Sequence, residues 1–196
     1  MEKIGILGGS FDPVHNGHIA IAQDSMLQAG LDMVFFMPTA QSPLKGHTPL
    51  ASDEERYRMI ELALQNHPKF DVLDWELVER GVSYTINTVN KLKKNWPRIR
   101  FYWIIGSDLL ESLSQWRQIS ELVELIEFIV VQRPGGLVET PSIPNLRIQR
   151  INNPLCNISS SEIRQRVREG QPIDELVPVG VKNYILVHKI YHGKES

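Results

Sequence analysis

Two histidines three residues apart, His15 and His18, stand between a glycine pair and a helix-forming stretch near the start of the chain. At the beginning of a helix this spacing puts both imidazoles on nearly the same side. The helix N-terminus adds unpaired N–H groups and a positive dipole end, which suit a phosphate. A histidine pair alone would also fit a partial metal site or a plain surface pair. The other residues expected to contact a nucleotide here are Gly8, Gly9, Ser10 and Phe11, with the glycines supplying a tight turn.

A second candidate segment, ISSSEIR at residues 158–164, lies far from the first in the sequence. Its hydroxyls open a predicted helix, and Arg164 follows one turn later. A helix start with hydroxyls and a guanidinium suits the terminal phosphates of a nucleoside triphosphate. The alternative is an ordinary capping box on a surface helix. The residues assigned to ATP in this segment are Ile158, Ser159, Ser160 and Arg164.

Two further candidates follow predicted strands. Gly106 and Asp108 come directly after the most apolar stretch of the chain, where a parallel sheet binds its ligands. Lys45 lies in a loop over 38–49 that is rich in proline, glycine, serine and threonine. The alternatives are an Asx-type turn for Asp108 and a solvated loop lysine for Lys45.

The elements that must position these residues alternate between strands and helices. Several strands are apolar on both faces, which predicts a Rossmann-like, doubly wound, mostly parallel sheet with helices on both faces, in one domain over 1–196. We predict strands over 3–7, 33–37, 70–77, 101–105, 128–132 and 146–151, and helices over 18–30, 52–66, 85–96, 119–126, 159–170 and 179–190.

Composition narrows the class of protein. The formal net charge of −2 argues against strong nonspecific binding of nucleic acid, so positive potential for a polyanionic substrate must be local. The single cysteine allows no intrachain disulfide, and no secretory signal or membrane-spanning run is apparent. We expect a cytoplasmic protein, and the sequence does not decide whether it forms a homo-oligomer.

The first segment, GGSFDPVHNGH, resembles the G-x-F-D-P-x-H-x-G-H motif of the HxGH nucleotidyltransferase superfamily, and within it the bacterial nicotinate-nucleotide adenylyltransferases. The second segment is similar to the I-S-S-T-x-I-R motif of the same superfamily, with Ser161 in place of threonine. Gly106 and Asp108 match its G-x-D segment. Lys45 matches a lysine that reaches the phosphates in relatives, although Leu44 stands where relatives often have histidine.

The resemblance also suggests an acceptor site. Tyr84 and Thr85 match an S-Y-T stretch that holds the pyridine carboxylate, and Trp116 matches an indole that stacks on the pyridine ring. Arg133 matches an arginine that contacts the mononucleotide, and Ser10 and Lys45 are assigned to it as well. The alternatives are that both aromatic residues belong to the core and that Arg133 only covers a strand end.

The activity implied by this resemblance is transfer of AMP from ATP to nicotinate mononucleotide, giving deamido-NAD and pyrophosphate by direct in-line attack. The implied catalytic residues are His15, His18, Lys45 and Arg164. Mg²⁺ is the expected cofactor, held by ATP phosphates and water, with no metal site built from protein residues. The alternatives are nicotinamide mononucleotide or phosphopantetheine as acceptor, or a nucleotide-binding homologue that has lost catalysis.

Overall fold

A computed structural model describes residues 1–41, 48–132, 138–153 and 158–193. Within these ranges the chain forms a sheet of six strands in the order β3-β2-β1-β4-β5-β6, and every neighbouring pair is parallel. This is the strand order of Rossmann-type folds, so the predicted doubly wound sheet is confirmed. The strands are β1 (Lys3–Gly9), β2 (Met33–Pro38), β3 (Phe70–Val72), β4 (Arg100–Gly106), β5 (Glu127–Val131) and β6 (Ile148–Ile151).

Seven α-helices connect or follow these strands in the described part of the chain. Ser52 and Glu55 form a capping box at the start of α2, near the predicted start of the helix. The helices are α1 (Asn16–Ala29), α2 (Asp53–Leu64), α3 (Trp75–Glu79), α4 (Thr85–Asn95), α5 (Ile119–Leu125), α6 (Ser160–Arg168) and α7 (Val179–Val187), with two short 3₁₀ turns at Ser107–Leu109 and Leu113–Gln115. No helix within the described ranges is both long and apolar enough to cross a bilayer.

Alternate residues of the central strands enter two separate cores, one on each face of the sheet. In β4, for example, Tyr102 and Ile104 belong to one core, whereas Trp103 and Ile105 belong to the other. Residues of α1, α2, α6 and α7 complete the first core, and residues of α4 and α5 complete the second. Burial on both faces explains why these strands read as continuous apolar runs.

One predicted strand was too long. The sheet pairing of β3 ends at Val72, and residues 75–79 form α3 instead of extending the strand to Leu77. Trp75 stacks on Trp96 with a ring separation of 5.4 Å, which holds it against the end of α4 and away from the sheet edge. The last helix also ends earlier than predicted, at Val187.

The first and fourth strands form the topological switch point of the sheet. Helix α1 packs on one face after β1, and α4 packs on the other face before β4. Because connecting helices run opposite to parallel strands, the N-termini of α1, α4 and α6 all lie at the carboxyl edge of the sheet. That edge is where the predicted site residues must meet.

Candidate active site

The loop after β1 turns at a residue other than the predicted one. Gly8 and Gly9 lie in the strand and have ordinary backbone angles, so the tight turn assigned to them is wrong. The turn falls at Phe11, with φ of 47°, and at the cis peptide between Asp12 and Pro13. Gly9 instead provides room, because a Cβ there would lie 3.2 Å from the Phe11 ring.

The structure stacks the two histidines. Their ring centroids are 3.7 Å apart with an interplanar angle of 26°. His15 precedes α1, and His18 Nδ1 accepts the backbone N–H of His15 at 3.2 Å. Because Nδ1 is an acceptor, the ring proton of neutral His18 is on Nε2. Phe11 contacts His18 edge-on and is itself buried, so the loop fixes the orientation of this ring.

The backbone at the start of α1 offers fewer phosphate donors than the sequence predicts. The N–H of Asn16 already donates to the carbonyl of Leu176 at 2.9 Å, and the N–H of His18 donates to His15 at 2.9 Å. The N–H of His15 is occupied by His18. Binding of an anion here therefore depends on side-chain donors more than on the helix amides.

The second segment lies against the first. The Ser160 hydroxyl donates to the carbonyl of Pro13 at 2.9 Å, and Arg164 Nη1 donates to the carbonyl of Asp12 at 2.8 Å. Ser159 caps α6 by accepting the N–H of Glu162 at 3.1 Å. Two segments about 150 residues apart in sequence thus form one surface at the carboxyl edge of β1. Ile158, the first residue of the second segment, packs against the first core.

Asp12 joins these two segments, a role that the sequence analysis missed. Its buried carboxylate accepts the N–H groups of Leu50 and Ala51 at 2.8 and 3.0 Å. The hydroxyl of Tyr191 donates to it at 2.8 Å, and Arg164 Nη1 lies 3.8 Å away. A buried carboxylate needs such partners, because an unpaired one is costly. In the sequence, the FDP tripeptide within the first segment was the signal that could have drawn attention to Asp12.

Arg56 also supports the loop after β1, through the backbone of Ser10, and was not singled out from the sequence. It is fully buried on α2 and donates to the carbonyl of Ser10 at 2.6 Å, while its other terminal nitrogen pairs with Asp53 at 2.6 Å. Its spacing from Met59, Ile60 and Ala63 follows the apolar face of α2, so an inward arginine was visible in the sequence.

The G-x-D segment lies where the sequence analysis expects it. Gly106 ends β4, the neighbour of β1, and Asp108 is exposed in the turn that follows. Its position at the switch point puts its carboxylate on the same edge as the histidines.

On the other face of the sheet, the structure describes three of the predicted acceptor residues. Tyr84 and Thr85 open α4, and Arg117 lies over the Tyr84 ring at 4.7 Å. Trp116 is half-buried and contacts Phe128 edge-on. Tyr84 and Trp116 both also contribute to the core on that face, as the alternative interpretation expected. Lys45 and Arg133 lie outside the described residues.

Glu76 lies behind this acceptor region. It is buried on α3 and accepts the Thr88 hydroxyl of α4 at 2.6 Å. Burial raises the pKa of this carboxyl more than the Thr88 hydrogen bond lowers it. The pair links α3 to the helix that begins with Thr85.

Comparison with known proteins identifies the family. A model of the cytidylyltransferase-like family matches residues 6–166. The chain is 43% identical to the probable nicotinate-nucleotide adenylyltransferase of Opitutus terrae, over 98% of this chain and 100% of that protein. It is 40% identical to the nicotinate-nucleotide adenylyltransferase of Bacillus subtilis, with the same coverage.

Solved structures agree in fold. The Plasmodium falciparum nicotinic acid mononucleotide adenylyltransferase complexed with NaAD superimposes with a TM-score of 0.79 at 22% identity, covering 97% of this chain and 98% of that one. Because the sequence relationships span nearly the full length of both this chain and its relatives, the chain is a nucleotidyltransferase and belongs to the nicotinate-nucleotide adenylyltransferase family.

Proposed function

We propose that the chain transfers AMP from ATP to the phosphate of nicotinate mononucleotide at the carboxyl edge of β1 and β4, giving deamido-NAD and pyrophosphate. The observation that carries this proposal is the contact between the two segments. Ser160 and Arg164 of α6 bond to the carbonyls of Pro13 and Asp12, three residues or fewer from His15. Under this proposal, one surface offers imidazoles and a guanidinium to a single phosphate chain.

The reaction needs no general base. A phosphate monoester has a second pKa of about 6, so the acceptor phosphate is already anionic near neutral pH. Its oxygen attacks the α-phosphorus of ATP in line, the bond from that phosphorus to the bridging oxygen breaks, and pyrophosphate leaves. Catalysis then consists of positioning the two substrates and stabilising charge on the phosphoryl oxygens.

We assign the phosphate contacts to side chains. His18 carries its ring proton on Nε2, which makes it a donor to an α-phosphate oxygen, and His15 stacks beside it. Arg164 holds the β- and γ-phosphates and then the leaving pyrophosphate, and Lys45, which follows β2 in the sequence, joins it in this proposal. The remaining ATP contacts in the proposal come from Gly8, Gly9, Ser10, Phe11, Gly106, Asp108, Ile158, Ser159 and Ser160.

We place the pyridine ring near the start of α4. The positive end of a helix dipole favours a carboxylate over a neutral amide. Tyr84 and Thr85 stand at that N-terminus. Trp116 supplies a stacking surface, and Arg133, with Ser10 and Lys45, completes the mononucleotide contacts in this proposal.

Mg²⁺ fits this site as an ion that arrives with ATP. Among the described residues, no three histidine, cysteine or carboxylate groups cluster as a metal site. Asp12, the buried carboxylate nearest the histidines, already has its oxygens bonded to protein donors. Phosphate oxygens and water would therefore hold the ion, which would neutralise charge on the triphosphate. We further propose a cytoplasmic enzyme acting as one domain on small substrates, without nucleic acid or membrane.

A pyrophosphate-release assay with ATP and Mg²⁺ tests the acceptor. We expect nicotinate mononucleotide to support faster turnover than nicotinamide mononucleotide, and phosphopantetheine to support none. Equal turnover with the two pyridine nucleotides would contradict the assignment of carboxylate recognition to α4. ATP binding without pyrophosphate release, for every acceptor, would indicate a homologue that has lost catalysis.

A further inference from the structure

Tyr191, near the end of the described residues, bonds to the loop after β1. Its side chain is fully buried, and its hydroxyl donates to Asp12 Oδ1 at 2.8 Å across a separation of 179 residues. Burial and the negative charge of Asp12 raise the pKa of the Tyr191 phenol. The hydroxyl therefore keeps its proton and remains a donor to Asp12 throughout the physiological pH range.

The backbone after α7 adopts an unusual conformation where it places this hydroxyl against Asp12. Lys189 and Tyr191 both have left-handed backbone angles, with φ of 51° and 69°, which residues other than glycine rarely adopt. Between them the N–H of Ile190 bonds back to Ile185, and the Ile190 side chain is buried in the same core. A strained segment persists only where its surroundings fix it, and such segments concentrate at functional sites.

Asp12 connects Tyr191 to Arg164. The backbone N–H groups of Leu50 and Ala51, which lie between β2 and α2, donate to the carboxylate of Asp12, and the Tyr191 hydroxyl is a third donor. Arg164 meets the same residue twice, since Nη1 donates to its carbonyl at 2.8 Å and lies 3.8 Å from Oδ2. A rotation of the Asp12 carboxylate would leave the bond to the backbone carbonyl in place but would change the 3.8 Å ion pair between Oδ2 and Arg164.

We propose that Tyr191 is a positioning residue for adenylyl transfer, which sets the guanidinium of Arg164 through the carboxylate of Asp12. The inference rests on the proposed role of Arg164 in holding the triphosphate. Tyr191 touches no substrate in this scheme. Its effect must appear on the ATP side of the reaction, because Arg164 is assigned to ATP and not to the mononucleotide.

The test is Tyr191→Phe, which keeps the ring in the core and removes the one donor. We expect kcat/KM for ATP to fall roughly three- to tenfold, as the loss of one buried hydrogen bond implies, and pyrophosphate to inhibit less strongly. KM for nicotinate mononucleotide should stay at the wild-type value. Tyr184→Phe is the matched control, because Tyr184 packs against the same core from α7 and contacts His188 instead of Asp12.

Assays well below each unfolding midpoint separate positioning from stability. A purely structural tyrosine would lower the midpoint and leave all kinetic constants unchanged, and that result would overturn the proposal. Equal losses for ATP and the mononucleotide would overturn it too. ATP affinity from calorimetry gives the same comparison if turnover of the variant is too slow to measure.

A double-mutant cycle with Arg164→Lys tests the route. If Tyr191 acts through Arg164, the combined loss is smaller than the product of the two single losses. Multiplicative losses would reject the route through Arg164. Arg164→Lys with wild-type ATP kinetics would instead contradict the proposed function of Arg164, so the two failures are distinguishable.

Discussion

His18 combines two tasks that its neighbours assign to different ring nitrogens. Its Nδ1 accepts the N–H of His15 and so helps to begin α1, whereas its Nε2 carries the proton that the proposed mechanism assigns to a phosphate contact. Stacking on His15 and the edge contact with Phe11 leave the ring little freedom. If His18 donates to the α-phosphate as proposed, a ring held in this way requires no reorganisation as charge develops there.

The variant His18→Ala tests the proposed donor role of this residue through its turnover and its stability. Loss of a donor to a charged transition state is expected to lower kcat by at least about tenfold. The stability of the fold should change little, by about 1 kcal/mol, because a capping contact is lost. Steady-state kinetics and thermal unfolding measure the two effects. His188→Ala, on an exposed residue at the end of α7, is the control and should retain full turnover.

Near-normal turnover of His18→Ala would remove the donor role from this residue. A large drop in the unfolding midpoint, with turnover restored on cooling, would reduce the role of His18 to capping α1.

The sequence predicted the residues with local signatures and missed those that act across the chain. His15, His18 and Arg164 stand in short segments whose spacing is informative on its own. The FDP motif places Asp12 in the first segment, but no local spacing reveals its partners or Tyr191, because those contacts span 38 or more residues. Arg56 binds a backbone carbonyl 46 residues away, so its partner carries no side-chain signature either.

At the scale of elements, helix starts were predicted well because their signals are local. Ser52 and Ser159 both cap helices as their side chains suggest. The boundary of β3 was not predictable in this way. The position where β3 ends depends on stacking between Trp75 and Trp96, which are far apart in sequence and meet only after folding.

The hydrogen bond between Glu76 of α3 and Thr88 of α4 predicts that the stability of the fold depends on pH. Burial raises the pKa of Glu76 above its usual value of 4.5, so the folded chain binds this proton more tightly than the unfolded chain. The associated stability is fully present below pH 4.5 and is lost as the pH rises through the folded pKa. Glu76→Gln keeps the oxygen that accepts from Thr88 and cannot ionise. We therefore expect a higher unfolding midpoint than wild type at about pH 8, with the difference closing towards about pH 4.

Calorimetry across this range is the measurement, and Glu111→Gln, on an exposed side chain, is the control. A midpoint lower than wild type at the alkaline end would show that ionised Glu76 is stabilising, against this interpretation.

Across the whole sheet, little space is left where the first core packs on the central strand, β1. A Cβ at Gly5 of β1 would lie 2.7 Å from Leu31 Cδ1 and 2.9 Å from Ile104 Cδ1. Such distances require neighbouring side chains to move. The sequence predicted the layers of this fold, because apolar runs and helix signals are local, but it did not indicate where the layers touch.

Gly5→Ala is expected to lower the free energy of unfolding by about 1–3 kcal/mol, the usual cost of overpacking a core. Gly180→Ala in α7 is the matched control, since its Cβ would find ordinary contact with Leu62 at 3.4 Å. That change should be neutral or stabilising by up to about 1 kcal/mol, as alanine is the better helix former. Urea unfolding of both variants measures the difference, and equal free energies of unfolding would refute the packing argument.

The bond between Tyr191 and Asp12 has a consequence for biosynthesis. A ribosome makes the loop after β1 early and must add 179 more residues before that loop acquires its tyrosine partner. Domains generally fold as units, so the donors to Asp12 cannot be complete until the chain has been made as far as Tyr191. A chain released short of Tyr191 would leave the buried carboxylate of Asp12 without one of its hydrogen-bond donors.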